Sequence, residues 1–175
     1  MWSLVQVQNE TQRALAGELI GEYLRWINAS VQREYGLTFD IDTMLDSDIG
    51  DALKFHPPFG RFYLAQSEQH AAGVGCLKRI GDHVGEVQRM YVRPEFRGQG
   101  ISRLIAARLI SDARHIGYRA LRLESLKFLT AAHALYHSLG FKEITPYANN
   151  SMRNYQATTN FEQYQTNVVF MELVL

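Results

Sequence analysis

Residues 85–126 constrain the fold more than any other part of the chain. The hydrophobic pattern predicts a strand over residues 85–92, a loop and a helix over 97–117, and an alternating strand over 120–126. Gly117 is a typical helix end. The apolar stripe of the predicted helix consists of Ile101, Leu104, Ile105 and Leu109. A strand, a helix and a second strand in this order form a crossover, so the sheet must contain a parallel pair.

The flanking segments predict a sheet of mixed direction. Residues 60–66 and 71–79 form a predicted hairpin, whose strands are antiparallel. Further strands are predicted at residues 3–7, 141–144 and 167–175. Helical stretches are predicted after an N-cap at Thr11 and at residues 30–34, 41–53 and 129–139. A length of 175 residues suits one domain, 1–175. We therefore expect an α/β (α+β) fold, with a mixed central sheet of about six to seven strands flanked by about four helices.

Charge and composition exclude several classes of function. The 18 basic residues are balanced by 18 acidic ones, whereas proteins that grip nucleic acid need a basic excess. Cys76 is the only cysteine, so neither an intramolecular disulfide nor a multi-cysteine metal site can form. No apolar run approaches the ~20 residues needed to span a bilayer, and the first residues do not resemble a secretory signal. We expect a cytoplasmic protein with neither nucleic acid nor membrane as a partner.

The loop Arg97-Gly98-Gln99-Gly100-Ile101-Ser102 has the composition of an anion site. Its glycines permit a tight turn, and the N–H groups that open the following helix lack partners within that helix. Such a helix start favours phosphate or pyrophosphate. A dinucleotide fingerprint is excluded because its sixth position is Arg103, and a P-loop lysine is missing. The remaining alternative is a loop whose glycines only turn the chain.

Two segments of the chain carry a family resemblance. The stretch VQRMYVRPEFRGQGISRLIAARLI resembles the signature of the GNAT (GCN5-related N-acetyltransferase) superfamily, whose core is Arg/Gln-x-x-Gly-x-Gly/Ala. Arg97, Gly98, Gln99 and Gly100 match this core, while Ser102 replaces the last small residue. The stretch AAHALYHSLGFKEI resembles the second family motif. The residues that match this motif are Ala132, Leu135, Tyr136, Gly140 and Phe141. Leu129 stands where the family often has Asn.

The resemblance implies acetyl-CoA as cosubstrate and no metal. Backbone N–H groups of residues 97–102 would hold the pyrophosphate, and pantetheine would pair with the strand that ends at Val92. A bulge near Met90 would splay this strand from the next and open a cleft, where the Met90 N–H is a candidate oxyanion donor. The implied coenzyme-binding residues are Met90, Val92, Arg97, Gly98, Gln99, Gly100, Ile101, Ser102 and Arg103.

The implied reaction is attack of a primary amine on a thioester. An alkylamine titrates near ~10.4, so it arrives protonated and needs a base. Glu86 occupies the strand position where several family members keep a catalytic glutamate; the alternative is a solvated charge or a partner of Arg89. Tyr136 matches the usual general acid for the leaving thiolate; the alternative is a core aromatic residue.

Weaker patterns leave several alternatives open. His133 and His137 share a helix face, but the residue after the first is Ala134 and no third ligand is apparent, so no metal site is predicted. The aspartates 40, 42, 46, 48 and 51 are either an acidic lip of the acceptor site or solvated and capping residues. The aromatic residues 147, 155, 161 and 164 are candidates for a lid or a homodimer contact.

Two functions from different classes follow from these patterns. The first is an N-acetyltransferase acting on a small-molecule or protein amine. The second is a non-catalytic acyl-CoA-binding sensor or structural module of the same fold. Retention of Tyr136 and Glu86 favours the enzyme.

Overall fold

A computed structural model describes residues 1–51, 53–149 and 161–175 of the chain. The strands are β1 (Ser3–Gln6), β2 (Arg61–Gln66), β3 (Ala71–Gly81), β4 (Val84–Val92), β5 (Ala120–Leu126), β6 (Lys142–Ile144) and β7 (Val168–Val174). The α-helices are α1 (Glu10–Tyr35), α2 (Ile41–Gly50), α3 (Ile101–Ile116), α4 (Thr130–Ser138) and α5 (Phe161–Gln165). A single 3₁₀ turn, Pro94–Phe96, lies between β4 and α3 in the described chain.

The seven strands form one mixed sheet in the order β1-β2-β3-β4-β5-β7-β6. The predicted parallel pair is confirmed: β4 and β5 run parallel, joined by α3 as the crossover helix. The other neighbouring pairs are antiparallel, including the predicted hairpin of β2 and β3. The mixed α/β fold expected from the sequence is therefore confirmed, with seven strands and five α-helices in the described residues.

Helices cover both faces of the sheet. On one face, Ile105 and Leu109 of the predicted α3 stripe are fully buried in a core with the leucines of β5. On the other face, Leu19 and Ile20 of α1 pack with Met44 of α2 against β2 and β3. A central strand such as β4 or β5 is consequently shielded from water on both sides, so any charge it carries must find a partner or remain costly to ionise.

The start of α1 corrects one prediction. The N-cap is Asn9 rather than Thr11, because the Asn9 side chain accepts a hydrogen bond of 2.9 Å from the N–H of Gln12. The Gln12 side chain in turn accepts from the Asn9 N–H at 3.3 Å, which completes a capping box. The N–H groups of Asn9 and Gln12 are thereby both satisfied by side chains. A cap at Thr11 would make neither of these two hydrogen bonds.

The later helix limits differ from prediction in two further places. Residues 30–34 are not a separate helix, because α1 continues to Tyr35 and ends at Gly36 in the left-handed conformation, at φ 67°. The second helix stops at Gly50 rather than residue 53. The chain between β6 and β7 contains α5, while residues 150–160 lie outside the described residues. None of the helices in the described ranges is both long enough and apolar enough to cross a membrane.

Candidate active site

A β-bulge in β4 shapes the site. Val74 pairs with Tyr91 and Cys76 with Gln88, so Gly75 alone faces both Arg89 and Met90. Arg89 adopts a φ of 54°, a left-handed conformation that is rare outside glycine. Gln88 pairs with Cys76, which lies on the face that α1 and α2 cover, and the extra residue places Arg89 on this same face, where it binds Asp48 of α2. The bulge predicted near Met90 is confirmed.

Gly75 is required by the close approach of α3 to this bulge. A Cβ at this position would lie 2.3 Å from Cγ2 of Ile105 and 2.7 Å from Sδ of Met90. Both distances are shorter than van der Waals contact, so a larger residue would push α3 away from the sheet. The glycine therefore keeps the helix that carries the anion loop close to the strand that carries Met90.

The strands β4 and β5 separate beyond the bulge. Their parallel register covers only Val84 to Glu86 on β4, and the last pair is Glu86 with Arg122. The opening forms a cleft of about 560 Å³, called the strand cleft here. Its walls include nine of the predicted site residues: Met90, Val92, Arg97, Gly98, Gly100, Ile101, Ser102, Arg103 and Tyr136. Among the described residues no strand pairs with this side of β4 beyond Glu86, so its backbone groups are open to the cleft, as the predicted pairing with pantetheine requires.

The anion loop has the geometry that its sequence indicates. Gly98 and Gly100 adopt φ values of 78° and 79°, and α3 begins at Ile101. No side chain caps this helix start at Gly100. The first N–H groups therefore face the strand cleft, and the helix dipole favours an anion there. This geometry is typical of sites that bind phosphate or pyrophosphate.

Arginines around the loop differ in what they contact. The Arg97 Nε donates to the carbonyl oxygen of Val92 at 3.1 Å, and its guanidinium lies 5.4 Å from the ring centre of Trp26. Arg103 reaches across to α4 and donates to Oγ of Ser138 at 2.8 Å. Arg108, two turns along α3 from the loop, donates instead to Asp112 and to the hydroxyl of Tyr63 on β2.

The side chain of Gln99 plays a supporting part. Its Oε1 accepts a hydrogen bond of 2.9 Å from the indole N–H of Trp2. Trp2 also packs edge-on against Phe96, with ring centres 5.1 Å apart. The loop is thereby attached to the chain just before β1, which limits how far it can move away from the cleft.

A second, smaller cavity of about 90 Å³ lies deeper between the strands and α1, and is called the inner cavity here. Met90 and Tyr136 are among the residues that line both spaces, so the two spaces lie next to each other here. Tyr136 is almost fully buried on α4. Burial raises the pKa of its phenol well above the usual value, so Tyr136 remains a proton donor at neutral pH.

Glu86 lines the inner cavity and is only 1% exposed. Its Oε1 accepts from the Gln88 amide at 2.5 Å, and its Oε2 accepts from the Tyr147 hydroxyl at 2.8 Å. The alternative of a solvated charge or a partner of Arg89 is therefore wrong. The Arg89 guanidinium binds Asp48 of α2, and Lys54 approaches the same carboxylate at 2.5 Å.

The aspartates and aromatic residues singled out from the sequence have different roles in the structure. Asp40 caps α2 by accepting from the Thr43 N–H, whereas Asp48 is fully buried between two cations rather than part of an acidic lip. Tyr147 and Tyr164 are buried near the inner cavity. The predictions for residue 155 and for the side chain of residue 161 lie outside the described residues.

Comparison with known proteins identifies the family. The family model described as acetyltransferase (GNAT) family matches residues 22–141. Over 139 residues the chain is 32% identical to an uncharacterised N-acetyltransferase of Schizosaccharomyces pombe, which covers 78% of this chain and 80% of that protein. The chain belongs to the GNAT acetyltransferase family. It is thus an acyltransferase that depends on acetyl-CoA.

One further relative and one solved structure are similar to this chain. The acetyltransferase resembles the uncharacterised N-acetyltransferase YjgM of Escherichia coli, with 31% identity over 119 residues, 65% of this chain and 71% of that protein. Its fold matches that of a Salmonella typhimurium acetyltransferase solved with its cofactor acetyl-CoA, at a TM-score of 0.64 and 21% identity. That alignment covers 100% of this chain and 94% of the other.

Sequence reasoning missed one functional candidate of this acetyltransferase, Glu124 on β5. It lines the inner cavity, and each carboxyl oxygen exposes less than 1 Å² to solvent. The alternation of β5 places it opposite the buried leucines, which is typical of a strand with one solvated face. The sequence did offer one indication that Glu124 is buried. The glutamate lies on the strand that follows the crossover helix, and such a strand in the middle of a sheet is covered on both faces.

Proposed function

We propose that this acetyltransferase moves an acetyl group from acetyl-CoA to a primary amine by direct attack in a ternary complex. The observation that supports it is that Met90 and Tyr136 line both the strand cleft and the inner cavity. A thioester lying along β4 would present its carbonyl where an amine in the inner cavity can reach it. Holding both reactants in one geometry lowers the entropic barrier to their reaction.

The coenzyme fits the residues around the strand cleft. In this proposal the loop N–H groups from Gly98 to Ser102 hold the pyrophosphate, and the open edge of β4 pairs with the pantetheine arm. When bound, the coenzyme supplies an acyl group activated as a thioester. The N–H of Met90, next to the bulge, is the candidate donor to the carbonyl oxygen as negative charge develops there.

Two side chains carry the proton transfers in this proposal. Tyr136 protonates the departing sulfur, since its phenol remains neutral and its side chain lines both the strand cleft and the inner cavity. Glu86 accepts a proton from the nitrogen, through a water where the two do not touch. Each of its oxygens accepts one hydrogen bond and retains a second lone pair for this purpose.

The proposal is tested by measuring thiol release from acetyl-CoA with a panel of primary amines. Cys76 does not interfere, because it is fully buried and burial raises the pKa of its thiol well above the usual value. We expect amine-dependent release, reduced by about 10²-fold in Glu86→Gln while coenzyme affinity stays within about twofold. Tight coenzyme binding without release on any amine would support the alternative of a non-catalytic acyl-CoA-binding module.

A further inference from the structure

Arg89 holds a backbone conformation that glycine usually supplies. Its φ is 54°, and among the described residues other than glycine only His83, in the turn between β3 and β4, shares this left-handed region. In that region the Cβ of an L-residue lies close to the following carbonyl oxygen, which costs free energy. Arg89 lies within a central strand rather than in a turn, so its surroundings must hold it in this conformation.

The conformation of Arg89 determines the direction of the peptide group that contains the N–H of Met90. A planar peptide leaves φ and ψ as the only soft rotations of the main chain. If Arg89 returned to the extended region, its φ would change by more than about 100°, and the peptide group after it would turn. The Met90 N–H, the candidate donor to the thioester oxygen, would then point in another direction.

The side chain of Arg89 is held by Asp48 of α2. Its Nε donates to Oδ2 of Asp48, and its Nη2 lies 3.4 Å from Oδ1 of the same carboxylate. A planar guanidinium that meets both carboxylate oxygens is fixed in orientation as well as in position. The side chains of Arg89 and Asp48 are only 8% and 0% exposed, so water does not compete for these contacts. The pair therefore attaches the bulge of β4 firmly to α2.

The requirements of α2 itself do not explain Asp48. This residue lies in the last turn of the helix, where the helix dipole disfavours a negative charge. Buried ion pairs add little net stability compared with apolar residues of similar size, because both charges must leave water. Lys54 holds the same carboxylate from another side, with its Nζ 2.5 Å from Oδ1. A fully buried carboxylate fixed by two cations is better explained by the position it gives Arg89 than by stability.

The helix that carries Asp48 also forms a wall of the inner cavity. Ile41 and Met44 of α2 line this cavity. Met44 and Asp48 are four residues apart, so they lie on the same face of the helix. The face of α2 that would meet the acceptor thus also carries the carboxylate that holds the bulge.

We propose that Asp48 and Arg89 are positioning residues, whose buried pair keeps Arg89 left-handed and thereby directs the Met90 N–H toward the thioester carbonyl. This inference rests on the proposed function and adds two residues that act through Met90. Because α2 also lines the inner cavity, the pair fixes the oxyanion donor relative to the wall of the acceptor space.

Replacing Arg89 with Gly and with Ala separates the backbone effect from the loss of the side chain. Both variants lose the same contacts with Asp48, and in both Lys54 remains as the counter-charge of that carboxylate. Glycine adopts the left-handed conformation at little cost, whereas alanine does not. We expect kcat to fall by about 10²-fold in Arg89→Ala, as for loss of one oxyanion donor, but by less than about fivefold in Arg89→Gly. The dissociation constant of coenzyme A should stay within about twofold in both.

His83 provides a matched control, since it is left-handed and lines neither the strand cleft nor the inner cavity. The melting temperature of His83→Ala should lie about 2–8 °C below that of His83→Gly, while kcat stays within about twofold of wild type in both. A loss of kcat in His83→Ala as large as that in Arg89→Ala would show that strain anywhere lowers turnover, and would overturn the proposal. Equal losses in Arg89→Ala and Arg89→Gly would also overturn it, because the lost charge would then be the cause.

A spectroscopic measurement reports the N–H itself. The chain contains five methionines, so labelling with ¹⁵N-methionine gives few amide signals, and Met90→Leu identifies the one from Met90. In wild type and Arg89→Gly this signal should shift more with acetyl-CoA than with coenzyme A, and in Arg89→Ala the difference should disappear. A difference that persists in Arg89→Ala, or one that is missing in wild type, would contradict the proposal. A response with the expected pattern but no thiol release on any amine would contradict the proposed function and retain the positioning pair.

A further variant covers the case in which Arg89→Ala does not fold. Arg89→Asn loses the same two-pronged contact, and asparagine tolerates the left-handed region better than alanine but less well than glycine. Its kcat should therefore lie below that of Arg89→Gly. A kcat in Arg89→Asn equal to or above that of Arg89→Gly would count against the proposal.

Discussion

The hydroxyl of Tyr147 donates a hydrogen bond of 2.8 Å to Oε2 of Glu86, although 61 positions separate them in sequence. Burial, and after it the charge of Glu86, raises the pKa of Tyr147, so the phenol remains a donor. The segment after β6 thereby closes one side of the inner cavity and determines where the Glu86 carboxylate points.

Replacing Tyr147 with Phe removes one of the two donors to this buried carboxylate. We expect the free energy of unfolding to fall by about 1.5–3 kcal/mol, the range for hydrogen bonds to charged groups. Urea denaturation measures the change. Tyr35→Phe, at a partly exposed position at the end of α1, is the control and should change stability by less than about 0.5 kcal/mol. Equal effects in both variants would mean that the hydrogen bond adds no stability.

Replacing Tyr136 with Phe tests the general acid. We expect kcat to fall by about 10²-fold, because the thiolate loses its proton donor, while the dissociation constant of coenzyme A stays within about twofold. The control is Tyr118→Phe, whose hydroxyl donates to the carbonyl oxygen of Phe59 away from both cavities. That variant should lose about 1 kcal/mol of stability and retain its turnover. Normal turnover in Tyr136→Phe would remove this residue from the mechanism.

Replacing Gly100 with Ala separates backbone strain from ligand binding. Gly100 and Gly36 have φ values of 79° and 67°, and a Cβ at either position meets nothing within 4 Å. Alanine should therefore destabilise both variants similarly, by about 1–2 kcal/mol. Only Gly100→Ala should also weaken coenzyme binding, by about tenfold or more, because the loop N–H groups are reoriented. Calorimetry with coenzyme A decides this, and equal affinities in the two variants would contradict an anion site at the start of α3.

Replacing Asp48 with Asn removes the buried carboxylate that Arg89 and Lys54 share. We expect the free energy of unfolding to drop by about 3–5 kcal/mol. Glu34→Gln breaks the pair of Glu34 with Arg33, whose side chains are 46% and 69% exposed, and should change stability by less than about 1 kcal/mol. Chemical denaturation of the three proteins gives both values. A small effect of Asp48→Asn would show that this buried pair adds little to stability.

Local patterns explain why much of the fold was predictable. The stripe of α3, the glycines of the anion loop and the turn at Gly117 depend on residues close in sequence, so the crossover and its parallel strands followed from them. The helix limits around Asn9 and Gly36 were harder, because a cap depends on hydrogen bonds that several neighbouring polar residues can make.

In the candidate site, too, some features follow from local sequence and others from tertiary contacts. The sequence by itself determined the crossover, the loop from Arg97 to Ser102 and the place of Tyr136 on α4, since periodicity and glycine conformation act over a few residues. Only the tertiary structure decided that Arg89 binds Asp48, that Tyr147 binds Glu86 and that both carboxyl oxygens of Glu124 are buried. These partners depend on where β4 and β5 separate and on which distant segments cover the gap. The free energy of a buried charge depends on the groups that surround it in the folded protein, and the local sequence pattern does not specify those groups.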